Sequence, residues 1–187
     1  MAINLNKGDR FDLSKGLTRV GVGLGWEPNE GESAFDFDLD ASAFMLGANK
    51  KLPQDDFFVF YNNPQSPDKA VTSSGDDTTG GSSDGDDETL SVDLSKVDKR
   101  VEEIVFTVTI HEYAARKQNF GQVRGSFIRI YNEISGEEIA KYELNEDFSV
   151  ETAVEFGRLY RSGGQWKFEA MGIGYKGGLQ CFVDKYA

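Results

Sequence analysis

Apolar and polar residues alternate along most of the chain, and this two-residue period predicts β-strands. Residues 126–134 and 138–144 carry the pattern on either side of a short turn, so we expect them to pair as a hairpin. Glycines replace side chains at Gly21, Gly23 and Gly25, which predicts a bulge or the close approach of another backbone. The predicted strands cover residues 2–6, 17–26, 36–46, 57–61, 90–94, 101–110, 126–134, 138–144 and 165–175.

One long stretch, residues 150–161, shows a helical period instead, with small and apolar residues three and four positions apart. Ser149 is a candidate N-cap, Thr152 with Glu155 offers an alternative start, and Gly163-Gly164 would end the helix. Strands and helices do not alternate regularly along the chain. The pattern therefore predicts an all-β fold, β-rich with one main helix, arranged as an antiparallel β-sandwich.

Composition narrows the class of protein. A length of 187 residues favours a single domain over residues 1–187, and 39% hydrophobic residues are enough for a substantial core. The net charge of −12 argues against nucleic-acid binding, which needs a basic surface. The same charge disfavours contact with anionic lipid unless a cation bridges the two surfaces.

Cysteine content and hydropathy bear on the compartment. Cys181 is the single cysteine, which excludes an internal disulfide and fits a reducing compartment. The N-terminus carries no apolar stretch of the signal-peptide kind, and no apolar run approaches the length of a membrane span. We therefore expect a protein without a leader or a transmembrane segment.

A row of carboxylates lies on one predicted strand. Asp36, Asp38 and Asp40 alternate with apolar residues, so the three side chains share one side of the strand. Neighbours in such a row are about 6–7 Å apart, because a strand rises about 3.3 Å per residue. The row is costly unless a positive charge lies against it, so it predicts half of a cation site. A solvated strand face is the alternative.

A second acidic segment, residues 75–88, contains six carboxylates but no cation and no hydrophobic residue, so it cannot join a core. It is either a solvated linker or a loop that becomes ordered around a hard cation. Ca²⁺ suits such a loop better than Mg²⁺, because it accepts six to eight oxygen ligands in irregular geometry. Asn62 and Asn63 could add amide oxygens, although an Asx turn is their commoner use.

Several separate motifs, in the same order, make almost the whole chain resemble the TerD family of tellurium-resistance and stress proteins. The resemblance implies a β-sandwich, a cytoplasmic location in a bacterium, and Ca²⁺ at two neighbouring sites. It also implies resistance to tellurite and other stresses, alongside partner proteins of which some are membrane-embedded, and no established enzymatic activity. The motifs are residues 36–44, 59–63, 75–80, 84–88, 108–112, 118–123 and 160–168.

The resemblance also implies the calcium ligands. Asp36 and Asp77 are the less typical candidates, since the family usually has Asn where Asp77 stands, and the segment 79–84 is one residue longer here. Gly80 completes the set. The positions that match the family's acidic residues are Asp38, Asp40, Asp76, Asp84, Asp86, Asp87 and Glu88, with Asn62 nearby.

These observations predict a non-catalytic Ca²⁺-binding stress-response protein in which residues 75–88 close over the strand carboxylates. One alternative is a metal-dependent phosphoester hydrolase, since clustered carboxylates can hold two metal ions. The single histidine, His111, cannot be placed near the acidic residues from the sequence, and no other base is evident. The other alternative is a Ca²⁺-bridged membrane adaptor.

Overall fold

The computed structural model describes residues 2–27, 37–74, 86–144 and 150–187. Two sheets of six strands each lie face to face, and two helices and one 3-10 turn complete the described elements. The strands are β1 (Ile3–Leu5), β2 (Arg10–Asp12), β3 (Arg19–Gly25), β4 (Leu39–Leu46), β5 (Phe58–Val59), β6 (Val71–Ser73), β7 (Glu88–Asp93), β8 (Glu103–Ile110), β9 (Phe127–Asn132), β10 (Glu138–Glu143), β11 (Ala153–Ser162) and β12 (Gln165–Tyr175). The helices are α1 (Tyr113–Arg116) and α2 (Gly178–Tyr186), and the 3-10 turn is Asp55–Phe57.

The first sheet has the order β1-β10-β9-β3-β7-β6 and the second has the order β2-β12-β11-β8-β4-β5. Among the described strands, neighbours are antiparallel apart from the parallel pair β1–β10. The antiparallel sandwich with one main helix is therefore confirmed, as is the β9–β10 hairpin. The described residues form twelve strands rather than about nine, because short strands such as β2 and β6 carry too few residues to show a period.

Apolar side chains fill the space between the sheets. Val20, Val22 and Leu24 on β3 are at most 1% exposed, and they share one core cluster with Ile104 and Phe106 on β8. A second cluster lies on the outer side of the second sheet, under α2. Its buried members are Phe44, Leu46, Phe58, Val105, Ala153, Phe182 and Tyr186.

The helix predicted over residues 150–161 is wrong, because these residues enter strand β11. Strand β11 lies between β12 and β8, with the first sheet on one side and α2 on the other. A strand covered on both faces loses the alternation of apolar and polar residues that identifies it. Gly163 and Gly164, with φ of 59° and 77°, form the turn of the β11–β12 hairpin instead of a helix end.

The main helix is α2, near the C-terminus, which the sequence pattern did not reveal. Its buried residues Gly178, Phe182 and Tyr186 are four positions apart, but nine residues are too short for a clear period. Thr152 accepts hydrogen bonds from the backbone N–H groups of Gly177 and Gly178, both at 3.1 Å. Thr152 therefore caps α2, which lies later in the chain, rather than a helix that begins at Thr152 itself.

The glycines of β3 make room for side chains, not for another backbone. A Cβ atom on Gly21 would lie 2.0 Å from the ring of Tyr131, and one on Gly23 would lie 2.5 Å from the carboxylate of Asp86. Asp86 occupies that space while it accepts hydrogen bonds from Arg129 Nε at 2.8 and 2.9 Å. Arg129 in turn lies 4.4 Å from the ring centroid of Tyr131.

Glu103, at the start of β8, is a buried carboxylate with two cations. Its Oε1 atom lies 2.7 Å from Lys50 Nζ, and its Oε2 atom accepts a hydrogen bond from Arg158. Burial alone would raise the pKa of Glu103, but the hydrogen bonds from Lys50 and Arg158 outweigh it and lower that pKa below its ordinary value. Glu103 therefore stabilises the fold in its charged form.

We expect Glu103 to contribute to acid unfolding. Because its pKa is lowered in the folded state, its stabilisation is complete above the unfolded pKa of about 4.3 and is lost as the pH falls through the folded pKa. Glu103→Gln should therefore flatten the decline in the free energy of unfolding between about pH 5 and pH 2. Urea unfolding at a series of pH values measures this slope, and parallel profiles for the two proteins would contradict the expectation.

The space above β3 gives a second prediction. Gly23→Ala should push Asp86 away from Arg129 and lower the free energy of unfolding by about 2 kcal/mol, which corresponds to a fall in Tm of about 4–8 °C. Gly16→Ala is the matched control, because a Cβ atom there has no neighbour within 4 Å. Thermal and urea unfolding compare the two variants. A Gly23→Ala protein as stable as the control would show that Asp86 relocates at no cost.

Candidate functional site

Five of the predicted acidic ligands lie at one end of the sandwich, where β3 and β8 end and β4 and β7 begin. Strand pairing sets this arrangement, since Leu24 is opposite Glu88 and Leu39 is opposite Ile110. We call this region the acidic end and define it by Asp38, Asp40, Asp86, Asp87 and Glu88.

Asp38 and Asp40 are buried at 7% and 6% exposure, so the solvated strand face is wrong as an alternative. Strand β4 begins at Leu39, which places Asp38 just before the strand and Asp40 within it. Burying a carboxylate is costly unless positive charge or hydrogen-bond donors lie beside it. The surroundings of these two side chains are therefore part of any explanation of the acidic end.

Side chains with nitrogen donors, from the segment after β8, lie beside both carboxylates. His111 Nδ1 is 3.6 Å from Asp40 Oδ2, and Arg116 Nη1 is 3.9 Å from Asp38 Oδ2. The backbone N–H of His111 also donates a hydrogen bond of 2.8 Å to the carbonyl of Asp38. The end of β8 thus brings both a backbone donor and two side chains to the start of β4.

Backbone geometry fixes the segment that carries these side chains. Glu112 and Lys117 border the short helix α1 and have φ of 50° and 54°, in the left-handed region that non-glycine residues rarely adopt. Arg116 N donates to Glu112 O at 3.0 Å, and Gln118 N donates to Tyr113 O at 3.0 Å. These bonds close the single turn of α1 and the chain that follows it.

Glu88 and Asp87 connect the first sheet to the strands around them. Glu88 is 5% exposed, and its Oε2 atom accepts a hydrogen bond of 2.6 Å from the backbone N–H of Ala41 on β4. Asp87 Oδ2 accepts a hydrogen bond of 2.8 Å from the backbone N–H of Trp26. The Glu88 carboxylate therefore contacts the residue that follows Asp40, across the two sheets.

Asp86 differs from its neighbours because Arg129 holds it over Gly23, on the side of β3 that faces away from the core. The hydrogen bonds that Arg129 donates to Asp86 raise the pKa of Arg129 above its ordinary value. Arg129 therefore competes with any cation for the oxygens of Asp86. The structure thus brings Glu88 beside β4 but does not bring Asp86 to the same place.

The other predicted calcium ligands add little to the description of the acidic end. Asn62 is exposed in a turn that the reciprocal backbone hydrogen bonds of Phe60 and Asn63 close, and the Asn63 amide donates to Phe58 O at 2.7 Å. The remaining candidates fall outside the described residues. They are Asp36, Asp76, Asp77, Gly80 and Asp84.

The described residues supply at most part of a cation site. Within residues 2–27, 37–74, 86–144 and 150–187, no group of three or more His, Cys, Asp or Glu side chains is arranged to hold a metal ion. The donor chemistry still fits a hard cation, since Asp38, Asp40 and Glu88 present carboxylate oxygens within one region.

A cavity of about 410 Å³ lies beside Asp40. Tyr61, which is 47% exposed, and His111 form part of its wall, and their rings meet edge to face with centroids 6.3 Å apart. Residues of α1 and the start of α2 form the rest of the wall. The cavity makes Asp40 and His111 accessible to a small molecule.

Sequence reasoning missed the two side chains that contact the aspartates. His111 and Arg116 follow the strand predicted over residues 101–110, and the pairing of Asp40 with Thr109 brings them to Asp38 and Asp40. Both strands were predictable from their patterns, but the register that joins them was not. The nearest available signal was the position of the single histidine directly after a strand.

No helix in the described part of the chain has the length and apolar character of a membrane span. Solved structures with the same fold exist. An unknown-function protein, SAV2460, superposes with a TM-score of 0.74 over 92% of this chain and 99% of its own, at 23% identity. SCO6318 from Streptomyces coelicolor A3(2), described as a homologue of telluride resistance protein (TerD), gives a TM-score of 0.71 over 90% and 96%, at 22% identity. These likenesses support the fold.

Sequence comparison identifies the family. The tellurium resistance protein TerD of Alcaligenes sp is 50% identical over 189 residues, covering 100% of this chain and 97% of the relative. General stress protein 16U of Bacillus subtilis (strain 168) is 48% identical with the same coverage. Chemical-damaging agent resistance protein B of Clostridium acetobutylicum is 47% identical over 69% of this chain and 92% of its own. The family model described as the TerD domain matches residues 1–186, and the chain therefore belongs to the TerD family.

Proposed function

We propose that this chain is a non-catalytic, cytoplasmic Ca²⁺-binding protein that contributes to resistance against tellurite and other chemical stress. Relatives named for tellurium resistance, general stress and resistance to chemical-damaging agents support the broad role. Its partners would be other proteins of the same stress response, some of them embedded in a membrane. Direct reduction of tellurite is disfavoured, because thiol chemistry would need more than Cys181.

The observation that supports calcium binding best is the burial of Asp38, Asp40 and Glu88 at one end of the sandwich. Three carboxylates taken out of water within one region form a strongly negative centre, and their oxygens are the hard donors that Ca²⁺ prefers. Rigid strands hold Asp40 and Glu88, so this half of the site is preorganised.

The second half of the site is assigned to the acidic segment 75–88. In our proposal Asp76, Asp77, Asp84 and the Gly80 carbonyl close over the strand carboxylates and complete coordination of two neighbouring ions. Such a segment repels itself without a cation, so binding would order it. Asp86 would join in competition with Arg129, which would remain beside the site as a countercharge.

Calcium should therefore stabilise the fold. At a hundredfold excess of free Ca²⁺ over the dissociation constant, the gain is about 2.7 kcal/mol, or a rise in Tm of about 5–10 °C relative to EDTA. Asp40→Asn should lose most of this rise, because it removes one buried ligand charge. Calorimetric melts in EDTA and in millimolar Ca²⁺ measure both effects, and isothermal titration gives the affinity.

Glu103→Gln is the matched control, since Glu103 is also a buried carboxylate but pairs with Leu46 at the opposite end of β4. It should lower Tm in both buffers and leave the calcium-dependent difference intact. Identical midpoints for the wild-type protein in EDTA and in Ca²⁺ would refute the proposal. Equal losses of the calcium effect in both variants would place the ion away from Asp40.

A metal-dependent phosphoester hydrolase is the second candidate, and the structure adds one observation in its favour. His111 lies 3.6 Å from Asp40 and faces a cavity of about 410 Å³, so a base and space for a substrate adjoin the carboxylates. The basic side chains that would clamp a phosphate are occupied elsewhere, as Arg129 is by Asp86.

Assays of a generic phosphoester with Mg²⁺ or Mn²⁺ distinguish the two candidates. A non-catalytic protein should show the same background rate as His111→Gln and Asp40→Asn variants. Metal-dependent turnover that either substitution reduces by about a hundredfold or more would identify a general base and establish the hydrolase instead.

A further inference from the structure

We propose that Arg116 competes with the bound cation for Asp38. Its guanidinium pairs with the Asp38 carboxylate when Ca²⁺ is absent and must withdraw when Ca²⁺ binds. The inference rests on the proposed calcium site and adds a mechanism that sets its affinity. It concerns residues 111–117, which only the pairing of β4 with β8 brings to Asp38 and Asp40.

Distance and burial support this role. Arg116 Nη1 lies 3.9 Å from Asp38 Oδ2, and the Asp38 side chain is 9% exposed. The Arg116 side chain itself is 20% exposed, so its guanidinium lies between the buried carboxylate and the solvent. At its other side, Nη2 lies 3.5 Å from the Glu112 carboxylate, which is 58% exposed. Arg116 therefore has an outer acidic partner to which it can move.

The backbone around Arg116 is anchored, so a swing of the side chain need not disturb the fold. His111 N donates to Asp38 O at 2.8 Å, and Gln118 N donates to Tyr113 O at 3.0 Å, on either side of Arg116. Arginine has a long, flexible stem whose charged group can relocate by several ångströms. Since Nη2 already lies 3.5 Å from the Glu112 carboxylate, the movement required is a change of rotamer that withdraws Nη1 from Asp38 and keeps the contact with Glu112.

Electrostatics make the two cations exclusive. A divalent ion bound to Asp38 would lie within about 5 Å of a guanidinium at its present position, where like charges in a partly buried site repel strongly. Calcium bound to Asp38 would also neutralise much of the negative charge that attracts the guanidinium. Arg116 thus stabilises the calcium-free protein and weakens calcium binding by the same interaction.

Arg116→Gln tests the proposal by removing the charge while keeping a side chain of similar reach. Calcium affinity measured by isothermal titration should rise by about tenfold or more relative to the wild type. In EDTA the Tm of the variant should fall, so that the calcium-dependent rise in Tm becomes larger than in the wild type. Arg116→Lys, which keeps a mobile positive charge, should restore an affinity close to the wild-type value.

Arg124→Gln is the matched control for a general change of net charge. Arg124 lies just before the first residue of β9. Its side chain donates a hydrogen bond to Gly121 O at 2.9 Å and forms no ion pair among the described residues. Its substitution should change calcium affinity by less than about threefold, since exposed charges are screened. A rise equal to that of Arg116→Gln would overturn the proposal, because net charge alone would then explain it.

The remaining outcomes are also decisive. Unchanged or weaker affinity in Arg116→Gln, with wild-type binding intact, would mean that Arg116 positions the site and does not compete, and the inference would fail alone. Binding by Arg116→Gln but not by the wild type would support it in its strongest form. If neither protein bound Ca²⁺, the proposed function would fail and the inference with it.

A spectroscopic readout separates displacement from a merely structural role. The Nε–H signal of Arg116 in proton–nitrogen NMR should shift during a calcium titration in parallel with the heat of binding. The corresponding signal of Arg161, which hydrogen-bonds to the carbonyl of Val101 at 3.0 Å on the opposite end of the sandwich, should stay fixed. An Arg116 signal that does not respond while calcium binds would contradict the proposal.

Discussion

A carboxylate removed from water needs a compensating charge or donor, and this requirement organises the whole sandwich. Away from the acidic end, each buried acid has its own cation: Glu103 has Lys50 and Arg158, and Glu155 has Lys185. The acidic end differs, because several buried carboxylates share one region with backbone N–H groups and side chains that lie at 3.6 and 3.9 Å. Among the described residues, the buried acids of β8 and β11 thus have cations of their own, whereas those of the acidic end share their neighbours.

Much of the fold was predictable because most strands keep one face toward the core. The β9–β10 hairpin follows directly from two alternating runs and a short turn. Strand β11 was mistaken for a helix because α2 and the first sheet bury both of its faces, which erases the alternation. The partner that covers β11 comes from the chain's last residues, and no local pattern in residues 150–161 contains that information.

The acidic residues of the candidate site were predictable from the sequence, but the nitrogen-bearing side chains beside them were not. The alternation of Asp38 and Asp40 with apolar residues marks them at once as unusual. Their neighbours His111 and Arg116 are more than 70 positions away, and they reach the aspartates only through the register of β4 against β8. Pattern reasoning therefore identifies which residues carry negative charge, whereas strand pairing decides what that charge meets.

The two tryptophans lie at positions where their fluorescence can distinguish a change at the acidic end from a change elsewhere in the protein. Trp26 is buried at 5% exposure, and its indole N–H donates to the carbonyl of Phe37, directly beside Asp38. Trp166 lies at the far hairpin, stacked 4.7 Å from the Arg161 guanidinium. Because indole emission depends on local electric field and hydration, any rearrangement of the acidic end would be recorded by one chromophore while the other serves as an internal reference.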